Sequence, residues 1–121
     1  MDKIIIKISR LLICAVMLMP FQLSASNAGF LKYAVITDFS EKDIQLLTQE
    51  YKKVLLNNKL GDVHKWQSEG TKISGEITVI KQYMQNENKC KRLKFKNHSA
   101  SQSATSYFNF CEINKQWMLV N

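Results

Sequence analysis

One proline, Pro20, four glycines and two histidines are all that the 121-residue chain has of these types. The scarcity excludes several chemistries. There is no phosphate-cradling glycine loop, no Gly-x-Ser-x-Gly nucleophile turn and no His-Glu-x-x-His pair. No Cys-x-x-Cys or His-x-x-x-His spacing offers a metal a ready pair of ligands. No apolar run reaches the roughly 20 residues needed to span a bilayer. There is no internal repeat and no low-complexity tract.

What is present begins with an export signal. Lys3, Lys7 and Arg10 precede an uncharged apolar run from Leu11 to Met19, Pro20 ends it, and small residues follow at Ser24, Ala25, Ser26 and Ala28. That order is the order of a secretory signal peptide. We expect residues 1–28 to be the signal, cleaved after Ala28 or after Ala25. The alternative is an uncleaved N-terminal anchor. Cys14 lies inside the apolar run, preceded by Ile13 rather than the small residue of a lipoprotein signal. It reads as a small hydrophobe that leaves with the signal, with lipidation as the rival.

Removing residues 1–28 leaves 93 residues, 29–121, expected to form a single domain. The net charge drops from +7 to +5, because Lys3, Lys7, Arg10 and Asp2 go with the signal. Two cysteines remain, Cys90 and Cys111, an even number in an oxidising compartment. We expect a disulfide between them. In the chain-entropy view, closing a loop of about 22 residues stabilises by about 3.4 kcal/mol. The competing use is a metal site from Cys90, Cys111, His64 and His98, which the spacing does not support. No metal, cofactor or catalytic residue is expected.

The expected fold is α+β: one helix packed on a small antiparallel meander of four to five strands. Residues 29–39 have no clear period and read as a short strand or a packed-down segment. The helix is expected over about 41–58. Ser40 suits the N-cap and Asp43 completes a capping-box pattern, with Phe39 and Ile44 as hydrophobic staple. Ile44, Leu47, Tyr51, Val54 and Leu55 form one apolar stripe, and Asn57, Asn58 and Gly61 end the element.

Strands are expected from about 62 to 120. Residues 72–84 put Ile73, Ile77 and Val79 on one side and Thr78 and Gln82 on the other, with Gly75 as an expected bulge. Turns are expected at 85–88 and around Asn114–Lys115, and a polar loop over 97–103. Trp66 and Trp117 are expected core anchors. Within 90–96, Leu93 and Phe95 share one face, and Arg92, Lys94 and Lys96 the other. That cationic row is the candidate contact surface for an envelope partner: anionic lipid, cell-wall polymer or protein. The bland alternative is a solvated face whose lysines guard an edge strand.

Laid out in this order, the second half resembles a known family. Asp62-Val63-His64-Lys65-Trp66-Gln67, Gly70, Gly75-Glu76-Ile77-Thr78-Val79, Cys90-Lys91-Arg92, Cys111 and Trp117 are similar to the C-terminal domain of the rickettsial 17-kDa surface antigen family. Phe39-Ser40-Glu41-Lys42-Asp43 is similar to that family's helix start. The resemblance covers about residues 39–120 and rests on the order of loose motifs. There are departures. The glycine-rich membrane hairpin is missing, Lys91 and Glu112 stand where an arginine usually follows each cysteine, and the Asp-Gly turn before the last tryptophan is absent. The resemblance implies an envelope location, in the periplasm or at the outer membrane and cell surface, and no known reaction. The implied role is an exported structural or interaction protein without catalysis. The alternative is a soluble periplasmic binding or inhibitor module. Nucleic acid is not an expected partner.

Overall fold

The computed structural model of the protein describes residues 38–120. The signal segment, its cleavage points, Cys14 and the stretch 29–37 lie outside the described residues.

A 17-residue helix, α1 (Glu41–Asn57), opens on the expected capping box. The Ser40 hydroxyl accepts from the Asp43 amide at 3.2 Å, and the Asp43 carboxylate accepts from the Ser40 amide at 2.8 Å. A second bond, from the Ser40 hydroxyl to the same carboxylate oxygen at 2.8 Å, further satisfies this buried acid. The acids of the first turn, Glu41 and Asp43, also suit the positive end of the helix. Leu47, Tyr51, Val54 and Leu55 are buried as one stripe, and Ile44 is partly buried against the same core. The helix stops at Asn58, whose backbone turns extended.

Five strands follow in a meander: β1 (Val63–Gln67), β2 (Ser74–Gln85), β3 (Asn88–His98), β4 (Ser103–Ile113) and β5 (Gln116–Val120). Each pairs antiparallel with the next, so spatial order equals chain order and β3 is central. The fold is α+β, as expected. Two turns are two residues long, with positive φ at both positions: Asn86 and Glu87 (50° and 66°), Asn114 and Lys115 (52° and 64°). That geometry follows the right-handed strand twist, and an asparagine in first place tolerates it.

Two strand expectations are corrected. The polar loop expected over 97–103 shrinks to residues 99–102, because β3 runs on through His98 and β4 begins at Ser103. Asn97, which a polar reading puts in solvent, is fully buried opposite Ala104. The second correction concerns the bulge. Gly75 is in regular register, paired with Trp66 on one side and Asn97 on the other. Its lack of a side chain serves the Trp66 indole, since a Cβ there would lie 2.5 Å from Nε1. The register instead slips at Ile80: Val79 pairs with Leu93, while Lys81 pairs with Arg92.

The slip divides β2. Before it, Ile77 and Val79 face α1; after it, Gln82 and Met84 take that side, while Lys81 and Tyr83 turn away. The core fills the helix side of the sheet. Tyr51 stacks on Phe110 with centroids 5.3 Å apart and meets Phe95 edge-on at 6.1 Å. Phe39 meets Trp66 edge-on at 6.1 Å. Trp66 is buried as expected; Trp117 lies only partly buried at the core margin. Edge-to-face and offset pairs add to what area burial alone supplies.

Candidate functional site: the uncovered face of the sheet

Among the described residues, no helix lies on the opposite face of the sheet. Strand pairing sets its side chains in cross-strand rows. One row runs Lys65, Glu76, Lys96, Thr105; the next Val63, Thr78, Lys94, Tyr107; then Lys81, Arg92, Asn109; and finally Tyr83, Cys90, Cys111, Met118. Directly opposed residues in such rows have Cβ atoms about 4.5–5.5 Å apart. Along β3, Arg92, Lys94 and Lys96 recur about every 6.8 Å. The expected row therefore lies on one face, but it is part of a wider field that includes Lys65 and Lys81. Because β3 is central, its lysines do not guard an edge.

Two of these cations rest on tyrosines. Lys81 Nζ lies 5.1 Å from the Tyr83 ring centroid, and Arg92 Cζ lies 5.3 Å from that of Tyr107. Contacts of this kind hold long side chains in place at modest energy. The disulfide is at the far end of the same face. Cys90 and Cys111 are directly paired across β3 and β4, their Cα atoms 4.0 Å apart, and both are buried.

The residues of the metal alternative are separated. The two cysteines are joined to each other. His98 Nδ1 lies 2.8 Å from the Ser103 hydroxyl. His64 is on the helix side, where its Nε2 contacts the Glu50 carboxylate. An ionised carboxylate only accepts, so His64 donates in that contact. Partial burial pushes the Glu50 carboxyl up, but the hydrogen bonds and charges of His64 and Lys53 outweigh it and hold the group below its ordinary value. Among the described residues, no three of His, Cys, Asp and Glu come together as ligands.

On the helix side, past the end of α1, a cleft of about 570 Å3 opens between Leu55, Leu56, Met84, Lys89, Lys91, Glu112 and Trp117. Lys91 forms its inner wall. Its ammonium donates to the carbonyls of Leu55 and Asn58, each at 2.8 Å, and lies 5.2 Å from the Trp117 centroid. The last turn of α1 has no basic residue of its own, so Lys91 serves its free carbonyls from the sheet. Burial pulls the Lys91 ammonium below its ordinary value, against the opposing pull of Glu112 and Asp62.

Sequence periodicity alone misses Lys81 and Tyr83 because an unbroken period of two puts both on the core side with Ile77 and Val79. Lys91 does leave a signal: it alternates in step with Leu93 and Phe95, so its amine had to find acceptors.

Compared with known protein families, with curated proteins and with solved structures, the chain matches none of them.

Proposed function

We propose that this chain is an exported cell-envelope protein of the surface-antigen type, acting by contact and not by catalysis. The carrying observation is the sheet face opposite α1, where, among the described residues, five cations, Lys65, Lys81, Arg92, Lys94 and Lys96, meet one carboxylate, Glu76. Such a face attracts anionic surfaces. Support for export comes from the disulfide, which belongs to oxidising compartments. Support for the family resemblance comes from the order of elements: a helix, a Trp66 strand, a Gly75 strand, a Cys90 strand and a closing hairpin with Cys111 and Trp117.

The test is cell fractionation with a salt wash, together with the mature N-terminus by mass spectrometry. The proposal expects a start at Gly29 or Ser26 and a protein that salt releases from envelope material. An intact N-terminus with free thiols in the cytosol would sink it. Recovery only in the soluble periplasmic extract favours instead the binding or inhibitor module, for which the cleft beside Trp117 is the supporting observation.

A further inference from the structure

We infer that Lys81, Arg92 and Lys94 form a cluster that takes phosphate groups, and that through it the open sheet face docks on an anionic phospholipid bilayer. This rests on the envelope reading above and names its partner.

The cluster is built by the bulge. Without the slip at Ile80, Lys81 would face the helix; with it, Lys81 stands directly opposite Arg92, and Lys94 is the next residue on that face. Like charges directly opposed on neighbouring strands destabilise a sheet. Among the described residues none of the three has a carboxylate in ion-pair contact. The single acid of the face among the described residues, Glu76, lies in another row, between Lys65 and Lys96. Lys96 therefore has a counter-charge across the strand pair, and among the described residues Lys81, Arg92 and Lys94 have none opposite them. An arriving phosphate removes that repulsion and accepts charge-assisted hydrogen bonds.

The surroundings favour a bilayer over a phosphate in solution. Val63, Tyr107 and Met118 belong to the same face and are 53%, 47% and 48% exposed. Free phosphate makes no use of them. At a membrane surface, tyrosines and apolar tips settle at the headgroup level while the cations meet the phosphates. Each cation near such a surface is worth about fivefold in partitioning, so three together give roughly a hundredfold.

The experiment is co-sedimentation of the purified, oxidised protein with two kinds of vesicle: phosphatidylglycerol and phosphatidylcholine in equal parts, and phosphatidylcholine alone. The face variant carries Lys81→Gln, Arg92→Gln and Lys94→Gln. A charge-matched control carries Lys42→Gln, Lys52→Gln and Lys59→Gln, all exposed on the helix and the loop after it. Near-ultraviolet circular dichroism checks that both fold. The inference expects binding to the anionic vesicles only, a loss of roughly a hundredfold in the face variant, and a clearly smaller loss in the control. It is overturned if the protein ignores anionic vesicles, if both variants lose equally, or if only inorganic phosphate or a soluble carboxylated polysaccharide binds. A protein that fractionates with the envelope yet ignores the vesicles loses this inference alone. One that binds vesicles but is never exported loses the envelope reading alone.

Discussion

The Trp66 indole lies over Gly75, its direct partner on β2, so closely that a Cβ at position 75 would meet Nε1 at 2.5 Å and Cε2 at 2.7 Å. The atoms it would meet all belong to the indole ring, which itself packs edge-on against Phe39. Gly75→Ala should therefore destabilise by about 1–3 kcal/mol, the usual range for overpacking. Urea unfolding, followed by Trp66 emission in a Trp117→Phe background, measures it. An unchanged midpoint would show that the indole moves aside freely.

Lys91 joins the end of α1 to the centre of the sheet. Lys91→Met keeps an unbranched apolar stem but leaves the carbonyls of Leu55 and Asn58 without this donor. We expect a loss of about 1–3 kcal/mol, the usual range when a buried hydrogen-bonding group loses its partner. Lys91→Arg should recover part of it. Equal stability of the methionine variant and the wild type in thermal unfolding would count against the role.

Replacing Cys90 and Cys111 together by serine should lower stability by about 3.4 kcal/mol, before any effect of burying two hydroxyls. Intact mass with and without reductant, using a thiol label, checks the bridge itself. Two labelled thiols in the unreduced protein would contradict it.

Glu50 sets an acid limit. Its folded carboxyl titrates below the ordinary value of 4.5, so the unfolded chain binds the proton first as pH falls. The stabilisation is fully present above that ordinary value and is lost as pH falls through the lower folded value. Glu50→Gln should cost stability at neutral pH and flatten the decline below 4.5. Urea midpoints between neutral pH and the acid range would show parallel curves if the contact with His64 contributes nothing.

Much of this was legible in the chain because local rules decided it. Ser40 and Asp43 are a capping signature whatever surrounds them, and the helical stripe through Leu47, Tyr51 and Leu55 needs only its own spacing. Asn114–Lys115 reads as a turn from its composition. Leu93 and Phe95 separate from Arg92 and Lys94 by simple alternation. The slip at Ile80 was not legible, because a bulge is a relation between two strands, and neither strand alone encodes it. Gly75 misled for a related reason: its demand comes from Trp66 on another strand and not from its own backbone. Asn97 is polar in a polar neighbourhood, and only the length of the β3–β4 pairing places it inside. So the candidate row on β3 could be read directly, while Lys81, its partner across the strand pair, could not.

The disulfide and the helix lie on opposite sides of one sheet, and this gives the two halves of the molecule unequal fates under stress. Cys90–Cys111 ties the β3–β4 hairpin shut even when side-chain packing is lost. Within residues 38–120, α1 is tethered by one covalent connection, the short run from Asn58 to Asp62. Partial opening can lift the helix while the hairpin stays closed. Amide exchange should then be fastest across α1, slower in β2, and slowest around Leu93 and Phe110, so that the closed hairpin outlasts the helix packed on it.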